Sequence, residues 1–397
     1  MNTLKKDILV IFLFLVSLNS LGRDIDIGVF RGHSIQQIDF SYYQGDYLIQ
    51  GDSTSFGRLQ ANEFVSIIQH ENGVELKKGV RSMGRFDTIY LRPTIFNAGL
   101  RLRPRSPVLK ARKYRDEFRI TAGKGGLTIV NRVSYTHYLG GVIESEGGGG
   151  KDEEYYKAQA VISRTYALKH INKHQNEGFD LCDQVHCQAY HNMLIYTDEI
   201  KDAVKATTGI FMVDTLTNQL VESYFHANCG GETSSTSFVW QYDIAYLQPF
   251  KDTFCIYSSQ AHWTKKIPKT KWRKFLINEY FYPIQDSEFK KTMYTFQQST
   301  RKAFYVHPSL GIPLRDIRYH FKLKSTFFSC HPEGQNVVVE GRGYGHGVGL
   351  CQEGAMSMDR QGIAYEQILS YYYSGIRLDH FFENQFFQQT PKNALDF

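Results

Sequence analysis

YLGGVIESEGGGGKDEEYYKAQAVISRTYAL, running from Tyr138 to Leu168, holds the transition on which the fold turns. A strand-like run ends at Glu146, four glycines follow (Gly147 to Gly150), and the hydrophobic period then changes. Tyr155, Ala158, Ile162, Thr165, Leu168 and Ile171 recur at three- and four-residue steps, which predicts an amphipathic helix over Asp152–Asn176. Asp152, Glu153 and Glu154 stand where a helix dipole favours negative charge, and Lys169, His170 and Lys173 lie toward the opposite end. Glu146 is thus a carboxylate at the end of a regular element, beside residues that let a ligand approach. That placement suits a general acid/base whose pKa is raised by partial burial. The competing reading is a charge that complements the helix dipole. Glu144, two residues earlier on an extended chain, would point to the other side, so one of the two carboxylates would face solvent.

Upstream, DIDIGVF (Asp24–Phe30), DYLIQGD (Asp46–Asp52), DTIYLRP (Asp87–Pro93) and FRITAGKGGLTIVN (Phe118–Asn131) alternate apolar and polar residues between short turns, the pattern of antiparallel strands. Downstream, strands are expected at Gly209–Asp214, Leu220–His226 and Gln335–Glu340, and a short helix at Tyr365–Tyr373 stopped by Gly375. Strands and helices come in blocks rather than in strict alternation, so the fold class is α+β: an antiparallel β-rich region over 23–117, then a mixed core over 118–380 and a tail over 381–397. Residues 264–330, rich in Lys, Phe and Tyr, read as an inserted helical segment.

Lys5 and Lys6, the apolar run from Ile8 to Leu18, and small residues at Ser20 and Gly22 make residues 1–22 a secretory signal peptide, too short for a comfortable membrane span. The protein is expected in the periplasm or extracytoplasmic wall, touching the membrane only if that signal stays uncleaved. The formal charge of +6 falls to about +5 when Lys5, Lys6 and Asp7 are removed with the signal. No basic block of the kind that grips nucleic acid stands out.

In an exported chain the six cysteines permit disulfides. The run Cys182-Asp-Gln-Val-His186-Cys187 offers instead three zinc donors on a tight loop, with Cys229, Cys255 or water as the fourth. A Cys182–Cys187 disulfide beside a surface histidine is the alternative. GRGYGHGVGLCQEGA (Gly341–Ala355) alternates glycines with Arg342, Tyr344 and His346 but lacks the spacing of a phosphate loop. A polar groove for a glycan, lined by Tyr344 and His346, fits it better; a tight-turn packing element is the alternative.

Four blocks in order, YLGGVIESE with KAQAVISRTYAL, CDQVHCQAY, AVKATTGIFMVDTLTNQLVESYFHANCGGETSS, and GRGYGHGVGLCQEGAMSMDRQGIAYEQILSYYYSG, resemble the SpoIID/LytB family of stage II sporulation protein D and amidase enhancers. The resemblance implies a peptidoglycan lytic transglycosylase acting on denuded glycan strands, with Glu146 as catalytic acid and Arg164 near it. It also implies zinc at Cys182, His186 and Cys187, and substrate contacts from Tyr190, His226, Tyr344 and His346. Where family members usually carry Met-Pro after Ser-Glu, this chain has Gly147 to Gly150. Two other functions stay open: a non-catalytic wall-binding enhancer of a separate cell-wall amidase, and a hydrolase pairing Glu146 with Glu144 or Asp152.

Overall fold

The computed structural model describes residues 24–380; the expected signal peptide over 1–22 and the tail over 381–397 lie outside the described residues. The first part is built of strands β1 (Asp24–Gly28), β2 (Gln37–Gln44), β3 (Tyr47–Gly51), β4 (Thr54–Leu59), β5 (Phe64–His70), β6 (Gly73–Lys78), β7 (Arg81–Phe86), β8 (Thr88–Pro93), β9 (Gly99–Ser106), β10 (Arg112–Arg115), β11 (Glu117–Gly123) and β12 (Gly126–Ser134). With the short β13 (Leu181–Cys182) they form two sheets, ordered β13-β1-β12-β11-β8-β3-β4 and β10-β9-β2-β5-β6-β7. Alternation puts Ile38 and Phe40 of one sheet and Phe118 and Ile120 of the other into a common core, where Phe40 meets Phe118 edge-on at 5.5 Å. β8 is hydrogen-bonded to β11, which straddles the 117/118 boundary, so the β-rich region and the following core share a sheet. β1 runs antiparallel to β12 and parallel to β13, with Ile27 opposite Leu181 and Gly28 opposite Cys182.

The strand-like run before Glu146 is a helix. α1 spans Tyr135–Gly147 and is started by Ser134, whose hydroxyl accepts from the His137 amide. Tyr138, Leu139, Val142 and Ile143 are all buried. Gly140 and Gly141 let the helix press against the chain that follows β13: a Cβ on Gly141 would overlap the main-chain oxygen of Asn192 and the ring of Tyr190. The glycine run ends α1 at Gly148, whose positive φ of 67° suits glycine, with the Gly148 amide donating to the Glu144 carbonyl. It is also braced: Tyr156 donates to the Gly148 carbonyl and accepts from the Lys151 amide, each at 3.1 Å.

α2 (Glu153–Lys169) is the central helix and touches α1, α3 (Asp198–Ala206), the strand Ile210–Asp214, and the helices Gln352–Asp359 and Tyr365–Tyr372. It stops at Lys169, short of the expected Asn176, because His170 to His174 turn toward β13. The inserted region is not purely helical. Strands His262–Pro268, Asn336–Arg342 and Phe328–Glu333 form an antiparallel sheet, covered by helices that include Lys269–Tyr280 and Leu314–Phe321. This lobe has its own apolar core around Trp272, Tyr305, Ile317 and Val337. On its surface a cavity of about 540 Å³ is lined by Lys265, Lys266, Lys271, Lys274 and Lys322, and Glu146 is not among its walls. Among the described residues no helix is long and apolar enough to cross a membrane.

Candidate functional site

Glu146 lies in the last turn of α1, partly buried. One carboxylate oxygen accepts the Ala189 amide at 2.6 Å. Burial raises the pKa, and the single amide bond opposes it. Glu144 has a different task. Its two oxygens accept the amides of Ile195 and Tyr196 at 2.9 and 2.8 Å, which fixes the returning chain to the helix. Two residues apart on a helix, the side chains leave in different directions, yet both carboxylates accept amides of the 189–196 stretch, so neither is left facing solvent alone. Behind Glu146 stands the buried Tyr155, whose hydroxyl accepts from the Gln352 side chain at 3.2 Å, and Gln352 also reaches Gln159. Gln352 follows Cys351 on the short strand Leu350–Cys351, which pairs in parallel with Phe225–His226. Hydrogen bonds therefore join Tyr155, the ring that senses the charge of Glu146, to the distant glycine-rich block.

His174, Cys182, His186 and Cys187 bring one donor atom each to within 4.8 Å of one another. The Cys187 sulfur is 3.4 Å from His174 Nε2, and both sulfurs lie 3.9 Å from His186 Nδ1. A tetrahedral zinc with bonds of about 2.0–2.3 Å would place its ligands at such spacings, so this donor set fits the metal. Both thiols are free, which answers the disulfide alternative for this pair in the structure. The expected fourth donor is corrected: Cys229 and Cys255 lie in another cluster, and His174 takes the place. His174 is oriented by Glu177, which receives its Nδ1 proton at 2.6 Å and is itself gripped by Arg31 through two bonds of 2.9 Å. Eight residues ahead of the Cys/His motif and inside the predicted helix, His174 carried no local signal; only the turn after α2 reveals it.

The glycine-rich segment forms one wall of an aromatic patch. Tyr344 is 45% exposed, and His346 is partly exposed against Trp240 (5.2 Å between ring centres). Trp240 in turn stacks near Tyr224 and Tyr242. His226 is buried. Its Nδ1 donates to the Val348 carbonyl and its Nε2 has no partner among the described residues. Burial holds the His226 pKa down at about 3 and that of His346 well below the usual imidazole value, so both rings are neutral. Tyr224, Trp240 and Tyr242 were missed from sequence; the aromatic run FVWQY after CGGET was the available signal.

A family profile described as SpoIID, stage II sporulation protein, matches residues 123–213. Stage II sporulation protein D of Bacillus subtilis is 27% identical over 269 residues, covering 63% of this chain and 75% of that protein. An uncharacterized protein of Brachyspira hyodysenteriae is 28% identical over 255 residues, covering 63% of this chain and 68% of its own length. An amidase enhancer of Bacillus subtilis is 25% identical over 290 residues, which span 60% of this chain and 40% of the enhancer. These matches support the resemblance to the SpoIID/LytB family. The matched profile includes α1, α2, α3 and the Cys/His cluster, so the SpoIID segment holds Glu146 and all four residues of that cluster together.

Two residues placed in the site by the family resemblance sit elsewhere. Tyr190 is fully buried, packed between Tyr114 and Tyr138 with its hydroxyl on Asn131, and so cannot reach a substrate. Arg164 is buried in α2, where its guanidinium donates to the carbonyls of Ile210 and Val204. It clamps α2 to the end of α3 and the strand behind, a positioning role. Arg164→Ala is expected to destabilise the fold by about 2–4 kcal/mol in urea unfolding, through lost packing and two stranded carbonyls. A loss under about 0.5 kcal/mol would refute the clamp.

Proposed function

We propose that the protein is a cell-wall lytic transglycosylase that cleaves the MurNAc–GlcNAc bond of denuded glycan strands, with Glu146 as sole general acid/base. The likeness to stage II sporulation protein D and to an amidase enhancer supports a cell-wall-related, extracytoplasmic function. The observation that carries the finer reading is a carboxyl group whose pKa burial raises, next to a carboxylate that cannot assist it because both its oxygens hold backbone amides. Ordinary glycosidases need two working carboxylates. A lytic enzyme needs one. Glu146 donates its proton to the glycosidic oxygen as the C1–O bond breaks, then takes the proton of the muramyl C6 hydroxyl as the C1–O6 bond closes. No water is consumed, and the tethered hydroxyl supplies the nucleophile at high effective concentration. The hydrolase reading, which needs Glu144 or Asp152 as partner, is disfavoured by the bonds that occupy Glu144.

Zinc held by His174, Cys182, His186 and Cys187 would be structural, since four protein ligands leave no open position. Its work would be to fix the loop whose Ala189 amide orients Glu146. Trp240 and Tyr344 would stack on sugar faces: Trp240→Ala is expected to weaken co-sedimentation with glycan strands about tenfold, roughly 1.4 kcal/mol.

The relative named an amidase enhancer supports a second reading, a wall-binding partner that stimulates an amidase. Mass spectrometry of denuded glycan treated with the purified protein and with Glu146→Gln separates the two. Products ending in 1,6-anhydromuramic acid, lighter by one water than hydrolysis products, are expected from the wild type alone. Their absence, with an added cell-wall amidase accelerated by both proteins, would establish the enhancer instead.

A further inference from the structure

A second donor cluster lies in the core, apart from the Cys/His loop. Cys229, Asp252, Cys255 and Cys351 come from three separate segments, are wholly buried, and place one donor atom each within 4.8 Å of the others. The sulfurs of Cys229 and Cys255 are 3.2 Å apart, and Asp252 Oδ2 is 3.3 Å from the Cys229 sulfur. We propose that these four residues bind a second zinc ion, as a closed three-thiolate, one-carboxylate site that joins the CGG turn, the 252–255 loop and the glycine-rich block.

The surroundings are those of a ligand set. The Cys351 sulfur accepts the amides of Cys229 and Gly354 at 3.3 and 3.4 Å, the second at the start of the helix Gln352–Asp359, where a thiolate is favoured. Asp252 is oriented by the Tyr372 hydroxyl on one oxygen and the Phe254 amide on the other, each at 2.9 Å. Gly354 has no room for a side chain: a Cβ there would meet Asp252 at 2.9 Å and overlap the Tyr372 hydroxyl. Three thiolates and a carboxylate around a divalent ion carry net negative charge. The buried Arg301 offsets part of it, donating to the Cys229 carbonyl at 2.6 Å. Soft sulfur donors in tetrahedral number select zinc over magnesium or calcium. A Cys229–Cys255 disulfide is the competing use of the two nearest sulfurs, but it leaves a third thiol and a buried carboxylate aimed at the same point without a function.

Binding would release the thiol protons to solvent and pin Cys351, and with it the strand that carries His226, to the core. The test is zinc content of the full chain, purified without chelator or reductant, by plasma mass spectrometry. Two ions per chain are expected in the wild type. One should remain in Cys351→Ser and one in the Cys182→Ser, Cys187→Ser double variant. Cobalt loaded into that double variant should still give a thiolate charge-transfer band, and Asp252→Asn, a milder change, should weaken zinc retention at least tenfold. A single zinc in the wild type that the double variant loses, or peptide mapping that finds Cys229 joined to Cys255, would overturn the proposal without depending on how any variant folds.

Discussion

Glu146→Gln is expected to lower release of anhydro-ended glycan fragments by about 10²–10⁴-fold, the range a positioned proton donor contributes, while the fold survives. Glutamine can keep the bond from the Ala189 amide through its side-chain oxygen, so the 189–196 stretch should stay in place. The pH dependence follows from the direction of the shift. Burial raises the pKa of Glu146, so the acid form persists to higher pH than in a free glutamate, and activity falls as pH rises through that raised value. Stability has the same sign. The raised group contributes stability that is fully present below the unfolded pKa of about 4.3 and is lost as pH rises through the folded one. The neutral glutamine removes that loss, so Glu146→Gln should unfold at higher urea than the wild type at neutral pH and match it in acid. A variant that is inactive and also less stable at pH 7 would argue for a structural carboxylate in place of a catalytic one.

Stripping metal from the Cys/His loop carries the second large effect. His174→Ala, or exhaustive chelation, is expected to cost on the order of 5 kcal/mol, below the roughly 10–16 kcal/mol of zinc-finger peptides because β13 is already paired to β1. Activity should fall with stability, since the same loop delivers the Ala189 amide to Glu146. Thermal unfolding with and without chelator, followed by zinc add-back, measures both. Wild-type protein whose midpoint and activity ignore the chelator, and which contains no zinc, would leave this cluster without a metal role.

The alternating strands before residue 130 were legible because half-buried sheets write their burial directly into sequence. α1 was not. Its run YLGGVI is apolar on every face, so no period separates helix from strand. The use of its paired glycines is close approach to Asn192 and Tyr190, a tertiary fact that no local pattern contains. The glycines after Glu146, which stand where the family usually has Met-Pro, have a local use: Gly148 closes the helix and Tyr156 braces the turn. In the site, Cys182, His186 and Cys187 were legible because they are adjacent, and His174 was hidden by the break after α2. Tyr190 shows the opposite failure: a position beside a motif was given a role in binding, but its side chain fills the core.

The parallel pairing of β1 with β13 sets an order on assembly. Asp26 and Phe30 donate their amides to the side chains of Asp180 and Asp183, more than 150 residues later in the chain. The first described strand therefore has one open edge until the Cys/His loop arrives, and the loop has no platform without that strand. As the chain is made from its N-terminus, this early strand must wait for one of the middle segments before its sheet is complete. A version started at residue 118, which keeps every residue of the SpoIID match, would lack the partner of Cys182 and is expected to aggregate through the exposed edge of β12.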